Sequence, residues 1–431
     1  MKKIIYVMGI ALFLFGACQN GQEEIPQLIN KAGTKAVGPY FSADNQGNPV
    51  LCWTEQNTED SLYRLKYAVY DAHKSAFGPS VTVATSAGCS IASESMGKVA
   101  FKSDGTVVAV FSKRFPNQPN PYAGAIYYSV STDKGKNWSA ATYLHSDTTH
   151  AYGRSFFDVA VLKDGELAAI WLDGRFGKHI KGSALFFART EKSTGFGQDT
   201  CLEKGTCECC RTDILTDTAG NIHLAYRDIM FPSALSEKQV RDMVYKVSTD
   251  QGRTFSPAMP ISKDNWEIEG CPHSGPSLTA VGNTLHALWF TAGGGAGLYY
   301  CATKAGSGKF SNRSLISAEG RHPQMVSLKN GRLAMVFEET TTSETPNSQH
   351  EMKMEHSKGS MKMSHGPASS AKIVLALRDA KGEQQLSALS AGDFADNHAV
   401  LQEASGQLLV AWVRETHGGS NIYCLPVKLK Q

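Results

Sequence analysis

Apolar and polar positions follow a unit that recurs from about residue 25 to the end of the chain. Each copy reads as a short strand, a turn that ends in Gly, an apolar second strand that often ends in an aromatic residue, and a third strand with alternating apolar residues. The second strands at 168–171 (AAIW) and 409–412 (LVAW) show the pattern. The copies span 38–56, 96–114, 156–175, 211–228, 273–291, 322–339 and 397–415.

These seven copies predict an all-β chain that forms a single β-propeller of seven four-stranded blades, or of six if one weak copy is misread. The last copy ends after its third strand, at 421–428. We therefore expect a strand near 25–29 to supply the missing fourth strand. Strands from both termini would then close the ring and cover the edges that an open sheet exposes.

Two turns share the pattern S-x-D-x-G-x-x-[W/F]. In this pattern the Ser and Asp side chains hydrogen-bond the backbone of a tight turn, Gly takes a positive φ, and the aromatic residue packs beneath. The pattern resembles the Asp-box, or BNR repeat, of sialidase-like β-propellers, and the likeness of scaffold covers nearly the whole mature chain. The residues are Ser131, Asp133, Gly135 and Trp138 in the first turn, and Ser248, Asp250, Gly252 and Phe255 in the second.

The resemblance to sialidases concerns the scaffold more than the active site. Sialidases use an arginine triad, a Tyr–Glu nucleophile pair and an acidic proton donor, and their first arginine lies in an R-I-P motif of the first blade. The corresponding region here, 36–40, reads AVGPY and has no arginine. Arg175, Arg211, Arg227 and Arg414 are candidate site arginines, but we expect them to pair with acidic residues on blade surfaces. Because a fold does not determine a function, a glycan-binding or glycoside-hydrolysing role stays an alternative.

In each repeat, the residue that lies nine positions before the turn Gly is predicted to stand at the mouth of the central channel. The positions at this level are Gly38, Met96, Phe156, Arg211, His273, His322 and Asn397, with His398 beside the last. Imidazole with thiolate or thioether is a soft-metal ligand set, and Cys and Met select Cu(I). We therefore predict a copper site at this level. Its candidate ligands are Met96, Cys209, Cys210, Cys271, His273, His322 and His398.

Two alternatives to metal binding stay open for these residues. The histidines could cap strands and bond backbone carbonyls. The cysteines could form disulfides, because an exported chain meets an oxidising environment. Cys207 or Cys209 with Cys271 would link adjacent blades, and the nine cysteines that remain after Cys18 leave at least one thiol free or paired outside the chain.

A polar insertion at about 340–370 interrupts the sixth copy between its second and third strands. It holds four of the twelve methionines and three of the thirteen histidines, although it is too polar to form a core. Thioethers bind Cu(I) and stay usable where thiols oxidise, whereas Met is a poor zinc ligand. The segment resembles the Met/His-rich stretches of periplasmic copper-handling proteins, and a low-complexity surface loop is the alternative. The candidate ligands are His350, Met352, Met354, His356, Met361, Met363 and His365.

The N-terminus predicts export. Lys2 and Lys3 precede an apolar stretch at 4–15 that suits a signal peptide and is too short to span a bilayer. The small residues before Cys18 resemble the lipobox of bacterial lipoproteins, and an ordinary signal peptide with a chance cysteine is the alternative. We expect a signal peptide over 1–17, a linker over 18–24 with a lipid on Cys18, and the propeller over 25–431. The lipid would hold the protein to the outer membrane, on its periplasmic or cell-surface face.

Charge and candidate chemistry together lead to one predicted function. The net charge is +3 and there is no basic run, so nothing indicates nucleic-acid binding. We predict a membrane-anchored propeller that binds copper, as Cu(I) or a similar soft metal, for acquisition, delivery or sequestration. Its partner would be an outer-membrane transporter or another cuproprotein. The alternatives are a glycan-active propeller, a protein-interaction scaffold and, if the protein is an enzyme at all, an exo-sialidase-like hydrolase or a copper oxidoreductase.

Overall fold

The computed structural model describes residues 25–191, 195–231, 238–268, 270, 272–304, 307–340 and 370–429. In this part of the chain the fold is all-β, with 29 strands. Its helical segments are single 3-10 turns at Ala84–Ser86, Ser93–Ser95 and Gly177–His179. None of the described helices is long and apolar enough to cross a membrane.

Five antiparallel sheets follow one another along the chain. After an N-terminal strand β1 (Gln27–Leu28), the first sheet contains β2 (Ala36–Ala43), β3 (Pro49–Gln56), β4 (Tyr63–Asp71), β5 (Ala76–Phe77) and β6 (Val81–Thr82). The second sheet contains β7 (Lys98–Phe101), β8 (Val107–Arg114), β9 (Gly124–Ser131) and β10 (Thr142–Tyr143). The third sheet contains β11 (Arg154–Val161), β12 (Leu167–Asp173), β13 (Ser183–Arg189) and β14 (Thr200–Thr206). The fourth sheet contains β15 (Asp213–Thr216), β16 (Ile222–Arg227), β17 (Met243–Ser248) and β18 (Met259–Pro260). The fifth sheet contains β19 (Ser277–Val281), β20 (Thr284–Thr291), β21 (Gly297–Lys304) and β22 (Ser314–Ser317).

The remaining strands form a sixth, eight-stranded sheet. It contains β23 (Gly320–Ser327), β24 (Leu333–Thr340), β25 (Ala371–Arg378), β26 (Gln384–Ala388), β27 (Ala395–Ala404), β28 (Gln407–Thr416) and β29 (Gly419–Lys428), together with β1. A single parallel residue pair, Ala371 with Ala395, joins β25 to β27. The predicted N-terminal strand is present, because β1 pairs antiparallel with β29 and covers its edge.

The described residues therefore form a β-propeller with five separate blades, four of four strands and one of five, and one eight-stranded sheet. In the first blade, β5 and β6 both pair with β4. The all-β propeller class is confirmed, while the number of seven separate blades stays a prediction.

The second strand of each sheet explains the apolar runs of the sequence. Such a strand is covered on both faces, so nearly every residue is apolar. Trp53, Trp171, Trp289 and Trp412 stand on β3, β12, β20 and β28 and are fully buried. Buried apolar clusters fill the space between neighbouring sheets, and one of them joins the first sheet to β27–β29. The ring is thus closed by packing as well as by β1.

The Asp-box turns have the geometry that the sequence predicted. The hydroxyl of Ser131 accepts from the N–H of Gly135 at 2.8 Å, and the carboxylate of Asp133 accepts from the N–H of Asn137 at 2.9 Å. The indole of Trp138 donates to the carbonyl of Gly135 at 3.1 Å. The second turn repeats the bonds, with Ser248 accepting from Gly252 and Asp250 from Thr254, and Phe255 packs on Phe187. Each turn fixes the end of a third strand.

Replacing Gly135 with Ala should lower the free energy of unfolding more than replacing Gly47 with Ala. Both residues have a positive φ, 83° and 82°, so both substitutions add left-handed strain of about 1–2 kcal/mol. A Cβ at Gly135 would also overlap the Tyr67 hydroxyl and a Val81 methyl group, whereas one at Gly47 would meet no atom within 4 Å. Such overpacking adds about 1–3 kcal/mol. Urea denaturation of both variants measures the difference, and equal losses would contradict the packing role of this turn.

Candidate metal centre

The first strands of several sheets share a bulge at the mouth of the channel. Register shifts occur at Gly38 in β2, Phe156 in β11, His322 in β23 and His398 in β27, and all four residues have a φ between 45° and 63°. His273, ahead of β19, has a φ of 50°. A left-handed conformation costs residues other than Gly about 1–2 kcal/mol, and a bulge re-aims the side chain. This backbone feature brings side chains of different sheets to one level.

Counting nine residues back from the turn Gly gives the left-handed residue in β2, β11 and β23 and ahead of β19. In β27 this count is wrong by one residue. There His398, and not Asn397, takes the left-handed position.

Three side chains meet at the mouth of the channel: Glu94, His322 and His398. Their ligand atoms all lie within 4.8 Å of one another. Glu94 belongs to the 3-10 turn that precedes β7, and its Oε1 lies 2.9 Å from Nδ1 of His398 and 3.9 Å from Nε2 of His322. Its other oxygen lies 3.0 Å from Nε of Arg211. Both Glu94 oxygens and Nδ1 of His398 are buried, and these close contacts do not meet the criteria of a regular hydrogen bond.

A second carboxylate, Glu338 on β24, holds the two histidines in place. Its Oε1 bonds Nδ1 of His322, and its Oε2 accepts the backbone N–H of His398 at 2.8 Å. The two imidazole rings lie 4.5 Å apart between centroids, with a tilt of 34°. Because Nδ1 of His322 is bonded to Glu338, its Nε2 faces Glu94. A carboxylate on the far ring nitrogen is the usual outer partner of a metal-binding histidine.

The electrostatics of the metal-free cluster depend on this pairing. Burial would raise the pKa of Glu94, but the charges of Arg211, His322 and His398 outweigh it and hold that pKa well below its usual range. Burial would lower the pKa of His322, but the charges of Glu338 and Glu94 raise it to about 9. The pKa of Glu338 is lowered by His322 against the effect of burial. The cluster is therefore a network of opposite charges.

The donor set decides which ions the cluster could hold. Two imidazoles and a carboxylate suit divalent transition metals such as Cu²⁺, Zn²⁺ and Fe²⁺. The residues fit such an ion, because the buried oxygens of Glu94 and Nδ1 of His398 are without hydrogen bonds. A bound ion would satisfy these atoms.

The other predicted rim ligands lie near this cluster but have different surroundings. The side chain of His273 is exposed as a whole, but part of its ring is buried, and this burial lowers its pKa. Its charged neighbours are Glu94, Cys207 and His322. Met96 is buried and lines the channel, where Nζ of Lys98 lies 3.6 Å from its sulfur.

The cysteines form a cluster of their own. Cys207, Cys209 and Cys210 are buried, and their sulfur atoms lie within 4.8 Å of one another. The pKa of Cys207 is lowered by hydrogen bonds from Cys209 and Cys210 and by Arg241, against burial. Burial raises the pKa of Cys210 to about 12.

Several predicted residues lie outside the described part of the chain, so the structure does not place them. They are Cys18, Cys271, His350, Met352, Met354, His356, Met361, Met363 and His365.

The four candidate arginines are all engaged, as we expected for arginines outside a sialidase site. Arg175 pairs with Asp173 and Asp199, and Arg414 pairs with Asp396. The other two differ from the surface pairing that we expected: Arg211 meets Glu94 inside the channel mouth, and the buried Arg227 donates to backbone carbonyls, including that of Phe290 at 2.8 Å.

The sequence index missed Glu94 and Glu338, the two carboxylates of the cluster. It counted one position per copy, and Glu94 lies two residues before its indexed position, Met96. Glu338 follows Phe337, the aromatic residue that ends the apolar run of β24. An acidic residue at the end of a buried strand was the available signal, since a buried charge requires a partner.

Comparison with known proteins supports the class of fold. No known family profile matches the chain, and no curated protein matches it. The polysaccharide lyase Uly1 is 11% identical, with a TM-score of 0.52 over 96% of this chain and 94% of the lyase. A protein of unknown function from Dyadobacter fermentans is 13% identical, with a TM-score of 0.51 over 78% of this chain and 94% of that one. The Hadza microbial sialidase Hz136 is 12% identical, with a TM-score of 0.48 over 89% of this chain and 77% of the sialidase.

At these identities the likeness concerns the fold alone. The chain is a β-propeller, as the repeats and the Asp-box turns indicated.

Replacing Glu338 with Gln should lower the pKa of His322 from about 9 toward its ordinary value, because burial is then opposed by the charge of Glu94 alone. The raised pKa stabilises the fold below about pH 6.5, and this contribution is lost as the pH rises through 9. The stability of the wild type should therefore fall relative to the variant over this range.

Nitrogen-15 NMR of the imidazoles, in the presence of a chelator, measures the titration, and denaturation at both ends of the range measures the stability. His286 is the internal reference, because burial lowers its pKa to about 4 and it bonds the Tyr300 hydroxyl away from the cluster. The same titration of His322 in both proteins would refute the pairing.

Proposed function

We propose that this protein is a metal-binding β-propeller and that Glu94, His322 and His398 are the ligands of its principal metal ion. The buried carboxylate of Glu94 is the observation that supports this most. Its oxygens and Nδ1 of His398 face each other without hydrogen bonds. An ion among these atoms would satisfy them, while Glu338 orients His322 to present Nε2.

Copper is the metal that we propose for this site. Nitrogen and oxygen sites bind Cu²⁺ more tightly than Zn²⁺ or Fe²⁺. The carboxylate changes the oxidation state that we expected from the sequence. A set of imidazole, thioether and thiolate would favour Cu(I), whereas the presence of Glu94 favours Cu²⁺.

The Met/His-rich insertion would supply a second copper-binding element. β24 carries Glu338 and ends at Thr340, and β25 begins at Ala371, so the insertion is attached to the end of the strand that supports the cluster. Thioether and imidazole groups there would collect Cu(I) by exchange among weak sites.

The proposed location is the outer membrane. A lipid on Cys18 would tether the propeller through a short linker, since β1 begins at Gln27. In that position the protein would acquire copper, deliver it to a transporter or another cuproprotein, or sequester it.

We also propose that the eight-stranded sheet is two blades, which gives seven in all. Its two antiparallel runs share one parallel residue pair. A buried apolar cluster lies between the runs and includes Val336, Leu375 and Trp412, as between the other sheets. The likeness of this cluster to the others supports face-to-face packing.

A glycan-active role is the second candidate. The polysaccharide lyase that shares the fold is the observation in its favour. The channel cavity is small for a glycan, at about 140 Å³. A second cavity, lined by His286, Tyr300 and Arg378, measures about 350 Å³ and falls within the roughly 300–1,000 Å³ of ordinary ligand pockets.

The unlipidated mature chain, carrying Cys18→Ser, should bind one Cu²⁺ tightly in calorimetric titration. Replacing His322 or His398 with Ala, or Glu94 with Gln, should remove this equivalent because each removes a ligand. Glu338→Gln should weaken binding about 10–100-fold, as expected for an outer partner. Deletion of 351–366 should remove only weaker equivalents, whereas the His273/His322/His398→Ala triple variant should lose the tight one.

His286→Ala is the matched control, because this imidazole bonds Tyr300 and lies outside the cluster. Metal content of the purified protein would be measured in parallel. Equal binding by the control and by the ligand variants would overturn the proposal. An absence of tight binding by the parent protein would do the same and would move the glycan-active role forward.

Lipid attachment at Cys18 has its own test. Cells fed a labelled fatty acid should incorporate the label into the wild-type protein, and Cys18→Ser should abolish it and release the protein from the membrane fraction. Cys201→Ser, in which a partly exposed cysteine of β14 is replaced, is the control. A membrane-bound, unlabelled wild type would contradict the lipoprotein proposal.

A further inference from the structure

The second cluster of metal-binding side chains lies between the third and fourth sheets. Cys207 follows β14 directly, and Cys209 and Cys210 occupy the turn that leads to β15. The backbone of Cys207 is fixed, because its N–H donates to the carbonyl of Arg227 at 2.9 Å and the preceding residue, Thr206, forms a bridge with Asp228. The thiols are therefore held by the ends of regular strands.

The sulfur atoms have the spacing of ligands around one small ion. Sγ of Cys207 lies 3.6 Å from Sγ of Cys209 and 3.5 Å from Sγ of Cys210. A disulfide requires about 2.05 Å. Metal–sulfur bonds of about 2.3 Å separate neighbouring sulfurs by roughly 3.8–4 Å in tetrahedral or trigonal geometry. The cluster would have to open by only a few tenths of an ångström to hold an ion.

The surroundings favour thiolates and exclude water. All three cysteines are buried, and Phe156 packs against them. Nη1 of Arg241 lies 3.3 Å from the sulfur of Cys207, which places a fixed positive charge beside the ligands. Metals bind the thiolate form of cysteine, and a neighbouring guanidinium stabilises that form.

We propose that Cys207, Cys209 and Cys210 form a trigonal thiolate site for Cu(I). Three thiolate donors favour soft or borderline first-row metals, Cu(I) and Zn²⁺ among them. Zn²⁺ in protein sites without water takes four ligands, and this cluster offers three among the described residues. The site is distinct from the Glu94–His322–His398 cluster and does not depend on it.

The test is an anaerobic Cu(I) titration of the reduced mature chain carrying Cys18→Ser, in competition with bathocuproine disulfonate. One Cu(I) should bind, with absorption from thiolate-to-copper charge transfer. Cys207→Ser and Cys210→Ser should each weaken Cu(I) binding by at least about 100-fold. A loss of about 100-fold is the most that is expected when the removed residue only hydrogen-bonds a metal ligand.

Cys201→Ser is the control within the preceding strand and should leave binding unchanged. A Glu94→Gln/His322→Ala/His398→Ala variant separates the two proposals, because it should lose Cu²⁺ and keep the thiolate-bound Cu(I). Deletion of 351–366 removes the Met/His-rich competitor. X-ray absorption of the wild type should show three sulfur neighbours at the copper, which is a measurement that requires no variant to fold.

Several results would overturn the proposal. They are Cu(I) binding that survives in Cys207→Ser, loss of Cu(I) in the Glu94/His322/His398 variant alone, nitrogen or oxygen neighbours in the absorption spectrum, and Zn²⁺ binding without Cu(I) binding. A disulfide within the cluster, found by mass spectrometry, together with no Cu(I) binding after reduction, would assign the cysteines a structural role instead.

Discussion

A carboxylate buried at the mouth of the channel, that of Glu94, constrains the face of the propeller around it. Burying an unpaired carboxylate costs several kcal/mol, so opposite charges must surround it. Arg211 reaches one oxygen from the turn ahead of β15, and His398 reaches the other from β27. Side chains of the second, fourth and sixth sheets must therefore stand at one level. The left-handed bulges of the first strands make this possible, since they turn His322 and His398 toward the channel mouth.

The sequence predicted the parts of this arrangement that repeat. Second strands that are buried on both faces produce apolar runs in the sequence, which end in residues such as Trp171. The turn glycines mark where each repeat lies. The sequence therefore predicted the propeller and most of the residues at the channel mouth. Features outside the repeat were missed. Glu94 reaches the site from a 3-10 turn and Glu338 from a second strand, and neither stands at the indexed position. In β27 the left-handed residue is His398, one position after Asn397, and a fixed count cannot detect such a shift.

The ligand chemistry divides between two places. The rim offers imidazole and carboxylate, while the turn before β15 offers thiols, so hard and soft donors are in separate clusters. His273 has charged neighbours in both clusters, Glu94 in one and Cys207 in the other. Separation matters for copper, because Cu²⁺ oxidises thiols that share its coordination sphere, whereas a thiolate site kept apart can hold Cu(I). The sequence prediction placed these donors in one set, and the structure divides them.

The interior of the channel explains why an ion would stay at the mouth. Below the rim, Nζ of Lys98 donates to the carbonyl of Phe157 at 2.7 Å and lies 3.8 Å from Asp158. The sulfur of Met96 faces the same amine, so the thioether is occupied by Lys98. Burial and the nearby Asp158 raise the pKa of Asp213 to about 8, which removes a negative charge from the channel near neutral pH. A cation that moved inward would leave Glu94 and approach the positive charge of Lys98, which already pairs with Asp158. The favourable position is therefore the rim, at the end of the strand from which the Met/His-rich insertion starts.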